Sequence, residues 1–307
     1  MLCTEYQDYW DVRRSVVYLY GPDIEGSGVL INNAECSTNG GEVGDEGCGT
    51  PYLLTALHVI AGEIGDEPTT GEIDDVENET VFVLGFESPF CGDGPPADAI
   101  GIMGATLLAH SAKKDLALLQ LATKIPSEAA PYFVGWNAGT KYASHAVALG
   151  HPCGGSKRIA VALPYTIEYS EVVGVDFFRV EYWELGEIAA GSSGGPLFDP
   201  GGRLLGVMSR SFGEDSDVTC ENLEIKSDDA FIAIRSIVDL LPASIDGSLL
   251  NMDPHDADPG AMPSLLKVSS EYFAPGEVAT ISAGIEVRLV DGFHADVGST
   301  IIVEVGP

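Results

Sequence analysis

The chain has 307 residues, of which 45% are hydrophobic, and it carries a formal net charge of −32 with only 15 Lys and Arg residues. A surface this acidic repels nucleic acid and anionic membranes, so neither is expected as a partner. No apolar stretch approaches the roughly 18–20 residues needed to cross a membrane. The length and apolar content predict one large domain with an appendage.

Short apolar runs alternate with turn residues along most of the chain, and 37 Gly and 18 Pro residues favour a β-rich fold. A buried strand from Pro51 ends on a turn at His58, and another apolar run, ending at Leu121, begins at Asp115. Residues 64–78 are interpreted as an acidic loop. The other predicted strands are 15–20, 28–32, 80–87, 99–109, 146–150, 158–163, 176–183, 195–198 and 203–209. Many short strands predict a sandwich or barrel.

The C-terminal part of the chain contains a helical pattern, then a polar segment, then an alternating apolar and polar pattern. Helical periodicity is first clear around 234–241, which predicts a short helix closing the main domain, residues 1–245. Residues 246–263 are rich in Asp, Pro and Gly and are interpreted as a linker. Residues 264–307 alternate apolar and polar side chains and predict a small β-rich appendage, or a truncated module, that leans on the main domain.

A serine in a glycine-rich turn is the strongest chemical signal. The segment Gly191-Ser192-Ser193-Gly194-Gly195-Pro196 lies between two apolar runs. Such a backbone can turn sharply and direct its N–H groups into a common hollow, as acyl-transfer chemistry requires beside an attacking hydroxyl. Alone, however, the hexamer also fits a plain glycine turn.

Serine attack also needs a base within hydrogen-bond reach and a carboxylate that orients the base. The chain has six histidines, and only His58 follows a buried strand that ends in small residues. Asp115 stands at the start of an apolar run, where an unpaired carboxylate would be costly. The residues therefore indicate Ser193 and His58, and the carboxylate is identified by the resemblance described next.

These segments resemble the motifs of the trypsin/chymotrypsin-like serine peptidases. Thr55-Ala-Leu-His58 is similar to their Thr-Ala-Ala-His, Asp115-Leu-Ala-Leu-Leu to their Asp-(Ile/Leu)-Ala-Leu-Leu, and Gly191 to Pro196 to their Gly-Asp-Ser-Gly-Gly-Pro. The order His, Asp, Ser is also theirs. The resemblance implies an all-β fold of two six-stranded antiparallel barrels, with the active site between them.

The same resemblance implies a role for each residue. Ser193 is the nucleophile, His58 the general base and then acid, and Asp115 the orienting carboxylate, while the N–H groups of Gly191 and Ser193 form the oxyanion hole. Ser192 replaces the aspartate that, in trypsin-like zymogens, pairs with a newly freed amine. We therefore expect no maturation through that ion pair.

A narrower resemblance is to the bacterial lysyl endopeptidases, over roughly residues 1–240. It rests on Gly28-Val-Leu-Ile-Asn-Asn33, Gly135-Trp136, His151-Pro152 and Leu204-Leu-Gly206, besides Gly191-Ser-Ser-Gly. It implies a specificity (S1) pocket for lysine.

The acid at the base of that pocket has two candidates, of which Asp228 is favoured over Glu187. The Ser-Asp pair of the lysyl enzymes matches Ser227-Asp228, while Glu187 stands where trypsin keeps an aspartate. Either acid would select a long cationic side chain. Both also fit ordinary surface acids in so acidic a chain. Ser209 and Arg210 fall in the segment that pairs with substrate, and a cation at Arg210 would either weaken the lysine preference or point to solvent.

Six cysteines favour an oxidising compartment, and family spacing implies the disulfides Cys3–Cys91, Cys36–Cys48 and Cys153–Cys220. The appendage is similar to short β repeats at the C-termini of some secreted bacterial proteins. The acidic loops at 63–78 and 246–258 follow no EF-hand pattern and are interpreted as solvated loops, so no metal site is expected.

The sequence thus predicts a secreted or periplasmic serine endopeptidase of bacterial type that acts on protein or peptide substrates after Lys or Arg. We expect a monomer without a cofactor. Two alternatives remain open: a catalytically silent, protease-like binding or adhesion module, and an active peptidase with non-basic specificity.

Overall fold

The computed structural model of the chain describes residues 9, 12–31, 50–88, 99–137, 145–172, 174–186, 188–212 and 228–237, together with the backbone of six short strands between residues 265 and 305. The described strands between residues 16 and 233 form two antiparallel sheets of seven strands each. No helix among them is long and apolar enough to cross a membrane.

The first sheet is built from the N-terminal half of the chain. Its order is β5-β4-β1-β2-β3-β7-β6, and all neighbours are antiparallel. Its strands are β1 (Val16–Gly21), β2 (Ile24–Ile31), β3 (Tyr52–Thr55), β4 (Val81–Leu84), β5 (Ile100–Met103), β6 (Ala105–Ser111) and β7 (Leu116–Leu121).

The second sheet repeats this architecture in the order β10-β11-β14-β13-β12-β8-β9, again antiparallel throughout. Its strands are β8 (Ala146–Gly150), β9 (Arg158–Ala162), β10 (Ile167–Val172), β11 (Val175–Val180), β12 (Pro196–Phe198), β13 (Leu204–Phe212) and β14 (Asp228–Ala233). The two curled sheets confirm the expected all-β, chymotrypsin-like fold.

The strand count differs from the expected six per barrel. The predicted strand 99–109 is two strands, because Gly104 donates its N–H to Thr80 O at 2.9 Å and accepts from Ala122 N at 2.9 Å instead of continuing the ladder. In the second sheet, residues 167–172 form β10, which the apolar pattern does not reveal because Glu168 and Glu171 interrupt it.

The acidic segment 64–78 is the clearest local error of the sequence analysis. Residues Thr70–Asn78 form helix α2, preceded by the one-turn helix α1 (His58–Ala61). Thr69 caps α2: its Oγ1 accepts from Glu72 N at 3.3 Å, and its own N–H donates to Glu72 Oε2 at 2.6 Å. This reciprocal capping box satisfies two otherwise unpaired N–H groups and stabilises a helix that has only one buried side chain, Val76.

The described residues form three apolar clusters. One lies within the first sheet around Leu30, Leu53 and Leu119, and a second lies within the second sheet around Phe178 and Phe231. The third joins residues of both sheets, including Val29, Leu118, Phe198 and Ile232. Because this shared core fixes the facing edges of the two sheets, side chains from both can meet at one site with defined geometry.

The predicted C-terminal features are described only in part. The helix expected at 234–241 begins as a 3-10 turn, Ile234–Ser236, and residues 238–263, including the linker, lie outside the described part. Beyond it, β15 (Leu265–Val268) pairs in parallel with β18 (Glu286–Leu289), β16 (Tyr272–Phe273) with β19 (His294–Ala295), and β17 (Val278–Ala283) with β20 (Thr300–Val305). The domain boundaries remain predictions.

Candidate active site

His58 is held at the end of β3 on the first turn of α1. Ala56 and Leu57, which precede it, are buried, and their burial fixes the backbone at this point. The His58 N–H donates to Asp115 Oδ1 at 2.9 Å, and the imidazole remains 17% exposed. The ring is therefore anchored at its backbone while one edge faces solvent.

Asp115 stands at the start of β7 with its carboxylate fully buried. Its φ is 46°, a left-handed conformation that aspartate tolerates better than most residues. Its oxygens contact His58 Nδ1 at 2.9 and 3.1 Å and accept from Ser209 Oγ at 2.5 Å. Ser209 lies on β13 of the second sheet, so hydrogen bonds from both sheets hold this carboxylate.

Ser193 comes from the second sheet, in the turn before β12. Its Oγ lies 2.8 Å from His58 Nε2. Gly194 makes the turn possible, because its φ is +82° and an added Cβ would lie 2.1 Å from Ser27 O. The structure therefore brings together the three residues that the sequence nominates, 57 and 135 positions apart along the chain.

The protonation of His58 follows from its two partners. The carboxylate of Asp115 accepts a hydrogen bond, so the ring proton belongs on Nδ1, and Nε2 is left with a lone pair for the Ser193 hydroxyl. In this tautomer His58 can accept the Ser193 proton, and Asp115 then stabilises the imidazolium. The arrangement places a serine hydroxyl beside a base, which is what nucleophilic catalysis by serine requires.

The predicted oxyanion hole consists of backbone groups in the same turn. Gly191 has φ +87°, and an added Cβ would lie 2.5 Å from His151 O. Within the described part of the chain, neither Gly191 N–H nor Ser193 N–H has a backbone or side-chain acceptor. Two free donors beside a nucleophile suit the negative oxygen of a tetrahedral intermediate.

Ser192 hydrogen-bonds within its own turn. It is 2% exposed, its N–H donates to Ala189 O at 3.0 Å, and its Oγ accepts from Ala189 N at 3.5 Å. The expectation that activation does not use an ion pair at this position stays a prediction.

Of the two predicted pocket acids, Asp228 and Glu187, the structure describes Asp228. Asp228, the first residue of β14, forms an ion pair with Arg179, and both side chains are partly exposed, 23% and 38%. Residues 228, 230 and 232 share the face of β14 that packs in the core between the sheets, since Ala230 and Ile232 belong to that cluster. Glu187 lies outside the described residues.

Arg210 lies on this same face of the second sheet. It pairs with Ala230 across the ladder, and its guanidinium lies 5.8 Å from the centre of the Phe177 ring. Ser211, the next residue of β13, pairs with Asp229 of β14. Because neighbouring residues of a strand point to opposite faces of the sheet, Arg210 and Asp229 lie on opposite faces.

Asp229 is an acid that the sequence analysis did not single out. It is fully buried on the β14 face occupied by Phe231 and Ala233. Trp183 Nε1 donates to Asp229 Oδ2 at 2.7 Å, and Ser211 Oγ donates to Oδ1 at 2.6 Å. Ile188, three residues before Gly191, belongs to the same cluster, so this face borders the nucleophile turn. Strand alternation separates Asp228 from Asp229, but only the structure shows that Asp229 is fully buried while Asp228 is partly exposed.

Another histidine, which is fully buried, lies behind the turn. His151 packs against the rings of Tyr18 and Phe86, and its Nδ1 donates to Gly155 O at 3.1 Å. Among the described residues its buried Nε2 has no hydrogen-bond partner. Burial, and then the charge of Lys157, lower the pKa of His151 to about 3, and burial lowers the pKa of Lys157 to about 8.

This depressed pKa predicts acid sensitivity. Between pH 6.5 and 3 the unfolded chain protonates His151 and the folded chain does not, so stability falls as the pH drops through this window, by up to about 5 kcal/mol. In His151→Asn, whose amide can replace the Nδ1 donor, this contribution is absent. Urea unfolding at several pH values should show the wild type losing about 1.4 kcal/mol per pH unit relative to the variant. The surface change His110→Asn is the control, and a difference independent of pH would contradict the prediction.

The cysteines are described at one position only. Cys153 is not a free thiol, whereas Cys3, Cys36, Cys48, Cys91 and Cys220 lie outside the described residues. The three disulfide pairings therefore stay predictions. No cluster of potential metal ligands occurs within the described ranges.

Several solved protease structures are similar to this structure. The HtrA-type protease AlgW, solved with a tripeptide, is 19% identical with a TM-score of 0.51, over 80% of this chain and 65% of its own. A serine endoprotease from Yersinia pestis is also 19% identical with a TM-score of 0.49, over 80% and 69%. The active form of a Mycobacterium tuberculosis protease is 19% identical with a TM-score of 0.47, over 80% and 88%.

No curated protein sequence matches the chain. Residues 3–232, well over half of the chain, match the family described as lysyl endopeptidase, C-terminal domain. This range includes His58, Asp115 and Ser193 and most of both sheets. The chain therefore belongs to the lysyl endopeptidase family.

Proposed function

We propose that this protein is a serine endopeptidase that hydrolyses peptide bonds through an acyl-enzyme on Ser193. The observation that supports this most strongly is the continuous hydrogen-bonded path from Ser193 Oγ through His58 to the buried Asp115 carboxylate, at 2.8 and 2.9 Å. The two free N–H groups in the same turn supply the remaining requirement of acyl transfer.

The reaction proceeds in two halves. Ser193 Oγ attacks the scissile carbonyl while its proton passes to His58 Nε2, and the N–H groups of Gly191 and Ser193 stabilise the resulting oxyanion. His58 then donates the proton to the leaving amine, which departs and leaves the acyl group on Ser193. In the second half, water loses a proton to His58, attacks the ester and releases the acid product, and the proton returns to Ser193.

We further propose that the chain cleaves after Lys or Arg and that Asp229 is the acid of the pocket. Its carboxylate is fully buried on the β14 face that packs within the second sheet, and Ser211, which donates to it, is two residues along β13 from Ser209, the partner of Asp115. A buried carboxylate attracts a long cationic side chain strongly. Asp228 faces the other side and already pairs with Arg179, and Glu187 is the remaining competitor.

A matched pair of variants distinguishes the two aspartates. We expect Asp229→Asn to lower kcat/KM for a lysyl substrate roughly 100- to 1000-fold, since a buried cation loses its countercharge. Asp228→Asn should change it by less than about threefold, because its ion pair is partly exposed. Digestion of a mixed proteome, followed by mass spectrometry of the cleavage sites, reads the specificity directly.

The reverse result, with the preference lost only in Asp228→Asn, would place the pocket acid at Asp228. Retention of the preference in both variants would point to Glu187. Wild-type cleavage without enrichment of Lys or Arg would rule out basic specificity altogether.

The experiment that tests the reaction class is labelling by a fluorophosphonate, which reacts with serines activated in this way. The wild type should be labelled at Ser193 and should hydrolyse peptides, and the Ser193→Ala variant should do neither. An unlabelled, inactive wild type would indicate a silent binding module instead. We also propose an extracellular or periplasmic location, which the even number of cysteines supports.

A further inference from the structure

Each N–H donor of the oxyanion hole is oriented by a hydrogen bond to the carbonyl oxygen of the same peptide group. The Gly191 N–H shares a peptide with Ala190 O, which accepts from Cys153 N at 2.6 Å. The Ser193 N–H shares a peptide with Ser192 O, which accepts from Gly195 N at 2.9 Å. In a planar trans peptide the N–H and C=O groups point in opposite directions. Fixing each carbonyl therefore fixes the direction of each donor.

Gly191 has no side chain to restrict its rotation, so its own carbonyl also needs an anchor. Ser27 on β2 supplies it: Ser27 Oγ donates to Gly191 O at 2.8 Å. The Ser27 N–H donates to Ser193 O, also at 2.8 Å. One residue of the first sheet thus holds both ends of the three-residue segment 191–193, which belongs to the second.

Ser27 is itself immobilised. It is fully buried, and Thr55 Oγ1 donates to its carbonyl at 2.8 Å. Its hydroxyl accepts from His151 N at 2.9 Å while donating to Gly191 O, so its one proton is used and an acceptor site is filled. The hydroxyl therefore connects β2, the turn after β8 and the nucleophile turn.

We propose that Ser27 is a positioning residue that holds the oxyanion hole in its reactive geometry through Gly191. The proposal rests on the serine peptidase function. Without the hydroxyl, Gly191 O and His151 N–H both lose a partner in a dry region, which is unfavourable for each. The Gly191 peptides then rotate toward other partners, and the Gly191 N–H leaves the place where the oxyanion forms.

The test is Ser27→Ala, assayed with a lysyl peptide. We expect kcat to fall roughly 10- to 100-fold with KM within about twofold, because the hole acts mainly in the transition state. A peptidyl-lysine aldehyde, whose adduct with Ser193 places an oxyanion in the hole, should lose affinity by the same factor as kcat. A kcat within twofold of the wild type would overturn the proposal.

Two further variants separate positioning from general loss of stability. Ser15→Ala removes another buried hydroxyl, which donates to Val12 O at 2.6 Å, and it should lower the melting temperature comparably while leaving kcat unchanged. Ser27→Cys retains a weaker donor of similar size and should give an intermediate kcat; it also replaces Ser27→Ala if that variant does not fold. Equal loss of kcat in Ser15→Ala would contradict the proposal.

The behaviour of the wild type distinguishes a failure of the proposed peptidase function from a failure of the proposed role of Ser27. If the wild type is neither labelled by fluorophosphonate nor active, the proposed function fails and the role of Ser27 fails with it. If the wild type is active and Ser27→Ala is equally active, only the role of Ser27 is refuted.

Discussion

Replacement of Ser193 by alanine is expected to lower kcat for peptide hydrolysis by roughly six orders of magnitude, the scale of loss on removing a nucleophile of this type. The Ser193 hydroxyl is the group that His58 Nε2 contacts, at 2.8 Å, and without it no acyl-enzyme can form. Residual hydrolysis would come only from substrate binding and from the donors of the hole, which are backbone groups and survive the change.

The fold should be unaffected, since Ser193 is half-buried and its described side-chain bond is to His58 alone. Circular dichroism and thermal unfolding check this, and a lysyl ester assay with fluorophosphonate labelling measures the activity. Ser170→Ala, a half-buried serine on β10 outside the site, is the matched control and should retain full activity. A Ser193→Ala variant that retains a tenth or more of the wild-type kcat would exclude the assigned nucleophile.

The residues that the structure assembles into the site are those whose sequence context is locally distinctive. Ser193 lies in a glycine-rich turn, His58 follows a buried run, and Asp115 begins one. Local patterns of this kind are visible in a single sequence because they reflect backbone constraints within a few residues. The order of the three motifs also predicts a chymotrypsin-like fold, and the two curled sheets confirm it.

The choice of Asp229 over Asp228 as the proposed pocket acid depends on a distinction that the sequence does not contain. Asp228 and Asp229 are adjacent, and successive side chains of a strand point to opposite faces. Which face each of them takes is decided by the register between β13 and β14, where Ser211 lies opposite Asp229. A shift of one residue would exchange their roles, and neither composition nor motif spacing fixes that register.

Ser27 was missed for a related reason. It lies in an ordinary strand, and its importance arises from contacts with Gly191 and His151, 164 and 124 residues away. The helix Thr70–Asn78, by contrast, had a readable signal. Thr69 and Glu72 form a capping box, but the high local charge favoured an interpretation as loop.

Replacement of Asp115 by asparagine is expected to lower kcat by roughly four orders of magnitude with a small change in KM. Asparagine has nearly the same shape, but it replaces one acceptor oxygen by an N–H donor. Ser209 Oγ and His58 Nδ1 both bond to Asp115 Oδ2, at 2.5 and 2.9 Å, and an amide nitrogen there would force the ring to accept at Nδ1. The proton would then lie on Nε2, which faces Ser193, and His58 could not act as its base.

The control for Asp115→Asn is Asp199→Asn, a second buried aspartate that accepts from Arg203 and Asn137 in the same protein. This variant should lose stability, because the guanidinium loses its countercharge, yet the folded fraction should keep its kcat. Single-turnover acylation at substrate saturation separates the two effects. A slow acylation step in Asp115→Asn at wild-type KM assigns the loss to the tautomer of His58, whereas equal acylation rates in the two variants would show that Asp115 contributes to folding alone.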